Sequence, residues 1–115
     1  AEAPAATEFF FRDEVEYDEV AVKKRLQTPN AGPVLDAMLR RLEALESWTV
    51  EALEAAVGSV SEELGVKRGE VIHPTRVAAT GRMVGPGLFE TLAVLGRDRV
   101  LARMRHARAT FIAAQ

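Results

Sequence analysis

Residues 72–101 read IHPTRVAATGRMVGPGLFETLAVLGRDRVL, and this stretch decides how the chain folds. Arg76 stands between a proline two residues earlier and a glycine five residues later, and the elbow 85–87 opens an apolar segment that stops at Gly96. Proline restricts the backbone angle φ, whereas glycine permits positive φ values. The spacing of these prolines and glycines therefore predicts short helices joined by tight turns. We expect the turns to hold a few side chains rigidly on one face, as a recognition surface requires.

Helical periodicity continues on both sides of this stretch. Apolar residues recur at steps of three and four, and no alternation of period two is sustained anywhere, which predicts an all-α fold of five or six helices in a compact domain. The predicted elements are a short helix capped by Asp18, helices over 33–46, 50–64, 75–80, 86–95 and 98–109, and a turn over 66–72.

Three kinds of side chain are placed by this pattern. In the last helix the apolar residues face inward, and Arg99, Arg103 and Arg105 are expected to lie largely outside. Trp48 lies between two apolar helices and is interpreted as a core residue, with a stacking platform as the alternative. His73, next to a proline, is interpreted as a turn residue.

The composition excludes several classes of site. The chain has 115 residues, 48% of them hydrophobic, and no cysteine, so it has no disulfide and no thiolate metal site. No apolar run has membrane-spanning length, and there is no basic-then-apolar leader. The two histidines lack metal-ligand spacing, and no nucleophile elbow or phosphate-binding loop occurs. Glu62 and Glu63 are adjacent, so they point to different faces of a helix. We therefore predict neither a catalytic site nor a metal site in this segment.

Charge is distributed unevenly along the chain. Residues 1–65 hold 6 Lys+Arg and 14 Asp+Glu, a net charge of −8, whereas residues 66–115 hold 9 and 3, a net charge of +6. A basic half suggests one face that meets a polyanion, and the planar fork of arginine suits phosphates and base edges. The alternative is that these arginines only form a solvated face on the last helix.

An ordered set of short motifs past Trp48 resembles the C-terminal anticodon-binding domain of bacterial glutamyl-tRNA synthetases, which are class I aminoacyl-tRNA synthetases. Each motif is weak alone, but their order and spacing together are specific. The matching residues are Gly65, Lys67 and Gly69; Pro74, Arg76, Ala78, Thr80 and Gly81; Pro86, Gly87 and Glu90; and Leu95, Gly96, Arg99 and Arg103.

The resemblance implies a helical cage that binds the anticodon stem-loop of tRNA(Glu) and reads its anticodon. It implies a cytoplasmic monomer with no membrane or DNA partner. It also implies glutamate–tRNA ligase activity in a parent enzyme, with ATP and Mg bound by an N-terminal catalytic domain that is missing here. No cofactor is expected in this segment. The implied parts are a linker end over 1–8, a lead-in segment with a short helix over 9–27, the anticodon-binding domain over 28–112 and a tail over 113–115.

The resemblance also assigns site residues. Arg76, Gly85, Pro86 and Leu88 match anticodon-facing positions, and Arg82, Arg99 and Arg103 are candidate contacts to the tRNA backbone. For Arg76, an internal clamp on helix-end carbonyls is the alternative.

Two positions depart from some members of the family. Val57 stands where they have an anticodon-facing arginine, and Gly85 stands where they have a hydroxyl residue. These departures leave open a second function, a free-standing helical interaction domain that has kept the fold without binding tRNA.

Overall fold

A computed structural model describes residues 16–112, and this part of the chain forms six helices and no strand. The predicted all-α fold is therefore confirmed. The predicted linker end over 1–8, the first part of the lead-in segment and the tail over 113–115 lie outside the described residues. The helices are α1, which covers Glu19–Ala21 and continues as a π-helical turn over Val22–Leu26; α2, Ala31–Ala44; α3, Val50–Leu64; α4, Arg68–Thr80; α5, Leu88–Leu95; and α6, Arg97–Phe111.

Local capping explains where the first helices start and stop. The Oδ2 of Asp18 accepts a hydrogen bond from the backbone N–H of Ala21 at 3.1 Å, as the predicted cap requires. The hydroxyl of Thr49 accepts from Ala52 N at 3.1 Å and so caps α3. At the other end of α3, Gly65 adopts the left-handed conformation with φ of 67° and ends the helix. The prediction of a helix over 50–64 is confirmed to the residue.

Helix α4 lies at the centre of the domain. It packs against α2, α3, α6 and the π-helical turn, and its residues Val71, Val77 and Ala78 are fully buried. Since neighbouring helices cover it on several sides, α4 is the rigid element on which the adjoining loops are carried.

The sequence-based prediction for residues 66–80 was wrong. A turn over 66–72 and a short helix over 75–80 were predicted, but one helix runs through both, with Pro74 inside it. A proline disfavours the helical conformation in the residue before it, which is why a boundary was expected. Here Pro74 is buried in the core, and Glu70 caps the start of α4 by accepting from Lys67 N at 3.0 Å. We attribute the continuity of the helix to this packing. His73 is accordingly a helical residue and not a turn residue.

Two further predictions about the second half need correction. Helix α5 begins at Leu88 with Gly87 as its N-cap, so Pro86 precedes the helix and is not its first residue. Arg103 was expected outside, but its exposed fraction is only 2%. Its Nη1 donates to the carbonyl oxygen of Ala79 at 3.2 Å, so the guanidinium is hydrogen-bonded inside the protein.

Trp48 packs against the core, as predicted. Its Nε1–H donates to the carbonyl oxygen of Leu92 at 2.8 Å, and the guanidinium of Arg97 lies 5.5 Å from the ring centroid. Both partners come from the region where α5 meets α6. The indole therefore ties the start of α3 to that junction.

The segment before α1 is anchored to the far end of α4. The hydroxyl of Tyr17 donates to the carbonyl oxygens of Ala78 at 2.8 Å and of Arg103 at 3.2 Å, and its ring contacts Phe111 edge to face. Burial raises the pKa of Tyr17 to about 12, although the positive charge of Arg103 acts in the opposite direction. Next to it, Asp18 N donates to the carbonyl oxygen of Gly81 at 2.9 Å.

Part of the opposite charge in the two halves is paired within the fold. Arg105 lies 3.0 Å from Glu43, and Arg108 lies 2.9 Å from Asp36, so two arginines of α6 are balanced by carboxylates of α2. Within the acidic half, Glu63 also bridges Arg40 and Arg41 of α2. Such surface pairs contribute little to stability, but they show that not all of the basic half is available to a polyanion.

Candidate nucleic-acid interface

A groove with a volume of about 430 Å³ opens beside the C-terminal end of α4. It is formed by α4, the loop over 81–87, α5 and one residue of α6. The lining residues are Arg76, Thr80, Arg82, Val84, Gly85, Pro86, Glu90, Thr91, Val94, Leu95 and Arg103. The volume lies within the range of small-molecule sites, roughly 300–1,000 Å³. The stretch that begins at Ile72 thus builds one concave surface.

Arg76 joins the two halves of this groove. Its Nη1 donates to the carbonyl oxygen of Pro86 at 2.8 Å, across the loop from α4. This is a clamp, but on a loop carbonyl and not on a helix end. Among residues 16–112, this is the one hydrogen bond that the Arg76 side chain makes. A guanidinium has several N–H donors, so these residues leave the others unused. Arg76 can therefore hold the elbow and donate to a ligand at once.

The turn between α4 and the loop is fixed by Thr80 and Gly81. The Thr80 hydroxyl donates to Arg76 O at 2.7 Å and accepts from Arg82 N at 3.2 Å. Gly81 has φ of 79°, and a Cβ at this position would overlap the carbonyl oxygen of Glu16. A glycine is required here for two reasons, its conformation and the close approach of the lead-in segment. The turn sends Arg82 out to solvent at the edge of the groove.

Arg103, on α6, also lines this groove. It is almost fully buried and is bonded to the last turn of α4 through Ala79. Together with Arg76 and Arg82 it gives the groove three guanidinium groups, against one carboxylate from Glu90. The groove is therefore positively charged, although the chain as a whole has a net charge of −2.

The apolar part of the groove was missed by the sequence reasoning. Val84 and Val94 have exposed fractions of 81% and 78%, unusually high for large hydrophobic side chains. Val94 follows the buried Leu92 by two positions, which places it on the opposite face of α5. That helical offset was a signal present in the sequence. The position of Val84 has no such signal, because it lies in an irregular loop.

The structure brings together most of the assigned residues, but not all. Arg76, Gly85 and Pro86 line the groove, and so do Arg82 and Arg103. Leu88, by contrast, is 3% exposed and belongs to the core, so its side chain does not face the groove. Arg99 lies apart, in a separate depression at the start of α6.

The structure places the two positions that depart from some members of the family, Val57 and Gly85, in different environments. Val57 is fully buried, so this side chain packs in the core. At Gly85, an added Cβ would meet only Arg76 Nη1, at the ordinary distance of 3.7 Å. The groove has space for a Cβ at this position, but φ of 159° is a backbone conformation that a residue with a Cβ rarely adopts.

His73 lies near the groove without lining it. Burial lowers the pKa of His73, and the positive charges of Arg25 and Arg76 lower it further. Within residues 16–112, no group of three or more potential metal ligands occurs, and no helix has the length and apolar character needed to cross a membrane.

Residues 1–108 match the family model of an anticodon binding domain. The chain belongs to the anticodon binding domain family. This anticodon-binding domain is 46% identical over 114 residues to a glutamate–tRNA ligase of Roseiflexus castenholzii, in an alignment that covers 98% of this chain and 22% of that protein. It is 41% identical over 107 residues to a glutamate–tRNA ligase of Moorella thermoacetica, covering 93% of this chain and 22% of the relative. The anticodon-binding domain thus spans about a fifth of the length of the curated relatives it matches.

The fold has a counterpart among solved structures. A crystal structure of a glutamate tRNA ligase from Elizabethkingia meningosepticum, in complex with its amino acid, matches with a TM-score of 0.81. The match covers 92% of this anticodon-binding domain and 21% of that chain, at 23% identity. At this identity the likeness concerns the fold of the domain.

Proposed function

We propose that this domain binds the anticodon stem-loop of tRNA(Glu) as the C-terminal part of a glutamate–tRNA ligase. The observation that carries the proposal is the groove at the end of α4. Arg76, Gly85 and Pro86, which the resemblance assigned to the anticodon, line this one concavity. Arg82 and Arg103, candidate contacts to the tRNA backbone, line it as well, and the five residues come from three separate parts of the chain. Residues brought together from distant positions by folding are stronger support than any of the motifs alone.

The chemistry of the groove suits unpaired RNA. Proteins read RNA sequence mostly in loops, where unstacked bases offer both their faces and their edges. Arg76 offers N–H donors to a base edge or a phosphate, while Pro86 beside it is exposed and offers an apolar surface. Arg82, exposed at the edge of the groove, is placed to meet the backbone.

The catalytic step of this function belongs to the rest of the parent enzyme. The relatives at 46% and 41% identity are glutamate–tRNA ligases, and this chain spans about a fifth of their length. We infer that ATP and Mg bind in a catalytic domain outside this segment, and that the parent is a cytoplasmic monomer. In this arrangement the domain contributes recognition of tRNA and no chemistry.

The alternative function, a free-standing interaction domain without tRNA binding, is not favoured. It was suggested by the net charge of −2 and by the departures at Val57 and Gly85. Val57 is a core position, and Gly85 lies in a groove that retains its arginines. The names of the relatives also favour the ligase.

The test is binding of this chain to the anticodon stem-loop of tRNA(Glu), measured by fluorescence anisotropy at several salt concentrations. We expect affinity to fall as salt rises, because cationic groups displace counterions from the RNA. Arg76→Ala should weaken binding by roughly tenfold, the order of magnitude for loss of one arginine contact to a base.

Arg68→Ala is the matched control. Arg68 is an exposed arginine at the start of the same helix, lies outside the groove and is 3.9 Å from Glu54. Its removal should change the affinity by less than about twofold, because one exposed charge is largely screened. Equal effects of the two substitutions, or no binding of the unmodified chain even at low salt, would contradict the proposed function.

A further inference from the structure

One face of helix α4 remains partly open to solvent. Val71, Val77 and Ala78 are buried, whereas His73 and Arg76 are half-buried. His73 and Arg76 are three residues apart, and side chains at this spacing are neighbours on a helix, with about 5–6 Å between their Cβ atoms. Arg76 lines the groove, and His73 lies closer to the start of the helix. The open face therefore leads away from the groove along α4.

The π-helical turn over Val22–Leu26 brings a second guanidinium to this face. The turn packs against α4. Burial lowers the pKa of His73, and the positive charges of Arg25 and Arg76 lower it further, so both guanidinium groups lie close to this imidazole. An added Cβ at Gly69 would lie 3.7 Å from His73 Nε2, which places the ring over the first turn of the helix. Turns of π-helix are rare and are frequent at functional sites.

The charge of Arg25 is not paired within the described part of the chain. Among residues 16–112, Arg25 makes no hydrogen bond or ion pair, and its buried Nε has no partner. Lys23 and Lys24 precede it, are exposed, and form no ion pair with those residues either. The carboxylate of Glu70, on the first turn of α4, is engaged in capping through Lys67 N. Unpaired cations gathered on one face attract an anionic partner.

We propose that Arg25 and His73 bind the phosphate backbone of RNA outside the groove, as a cationic strip that meets the groove at Arg76. This inference rests on the proposed function and adds a contact surface to it. The fork of a guanidinium matches two phosphate oxygens, and a neutral imidazole donates one N–H. Phosphate contacts position a nucleic acid and carry no sequence information. The strip therefore holds the RNA in place for the groove, whatever the sequence of the RNA.

The first experiment measures how the affinity for the anticodon stem-loop depends on salt. Each phosphate contact contributes about −0.7 to −0.9 to the slope of log K against log salt concentration. Arg25→Gln should therefore make the slope shallower by about 0.7 to 0.9. It should also weaken binding at low salt by about fivefold, the order for one charge-assisted contact, and by the same factor for a stem-loop with a scrambled anticodon. Arg25→Lys keeps the charge and should retain the slope.

Arg68→Gln is the matched control for the loss of charge. Arg68 lies on the same helix, but its Nη1 is 3.4 Å from the position of a Cβ added at Gly58, so it faces α3 and not the π-helical turn. The substitution removes one cation from α4 and should leave both the slope and the affinity nearly unchanged, because an exposed charge away from the strip is largely screened. Circular dichroism verifies that each variant keeps its helix content.

The second experiment tests the imidazole. His73→Ala should weaken binding of both stem-loops by about threefold, the order for one neutral hydrogen bond, without changing the salt slope, because the side chain is neutral near pH 7. His73→Gln retains an N–H donor and should bind within about twofold of the unmodified chain. Weak binding by both variants would show that the ring acts through packing and not as a donor.

The outcomes separate this inference from the proposed function. If the unmodified chain binds no stem-loop even at low salt, the proposed function fails and the strip fails with it. If Arg76→Ala weakens binding but Arg25→Gln behaves like Arg68→Gln, the function stands and the strip is refuted. A loss of slope in Arg25→Lys as large as in Arg25→Gln also refutes the strip, since the charge is still present. If Arg25→Gln weakens binding of the tRNA(Glu) stem-loop alone, Arg25 is not a backbone contact.

Discussion

Gly81→Ala is expected to destabilise the fold far more than the same substitution at Gly65. Both glycines have positive φ, 79° and 67°, so each alanine adopts a left-handed conformation. That conformation costs about 1–2 kcal/mol for a residue with a Cβ. At Gly65 no atom lies within 4 Å of the added carbon, so the conformational cost is the whole effect. At Gly81 the added carbon overlaps the backbone oxygen of Glu16, and backbone has to move.

That movement has a defined consequence. It displaces residues 16–18 and stretches the 2.9 Å hydrogen bond from Asp18 N to Gly81 O. Losing this bond adds about 1 kcal/mol, and further loss follows if Tyr17 shifts away from its two carbonyl acceptors. We expect Gly81→Ala to lower the free energy of unfolding by about 3 kcal/mol in total, against about 1 kcal/mol for Gly65→Ala.

Urea denaturation measures both values, with circular dichroism reporting helix content and Trp48 fluorescence reporting tertiary packing. Equal losses at Gly65 and Gly81 would refute the reasoning, because they would show that the lead-in segment does not close against the end of α4.

Two further predictions concern groups buried near that contact. Tyr17 is the single tyrosine of the chain, and burial raises its pKa to about 12, so tyrosinate absorbance should appear near that pH in the folded chain and about two units lower in urea. Because the folded pKa is raised, this residue's contribution to stability is complete below pH 10 and is lost between pH 10 and 12. A single midpoint in both solvents would contradict this. Arg103→Ala should cost about 3 kcal/mol, since it leaves a cavity and removes a donor to Ala79 O. Arg105→Ala, on the exposed face of the same helix, should cost less than about 1 kcal/mol, and similar losses for both would show that Arg103 is not buried.

The assigned site residues show how far motif matching reaches. Arg76, Gly85 and Pro86 were assigned to one surface by the resemblance, and they do line one groove. Leu88 was assigned with them, but its side chain points into the core. Adjacent positions at the start of a helix point in different directions, so neighbours in a motif need not share a surface. Arg103 illustrates the converse error, since helical periodicity placed it outside while Ala79 O, 24 residues away in sequence, draws it inside.

The sequence by itself determined the class of the fold and the limits of the most regular elements. The helix over 50–64 was predicted to the residue because its cap, its apolar period and its terminal glycine are local signals. The continuous helix through Pro74 and the groove were decided only by the tertiary structure. Pro74 is held in α4 by its burial in the core, and the groove exists only once α4, the loop, α5 and α6 meet. The first kind of feature depends on interactions within one or two helical turns, whereas the second depends on contacts between residues far apart in the chain, which no local pattern encodes.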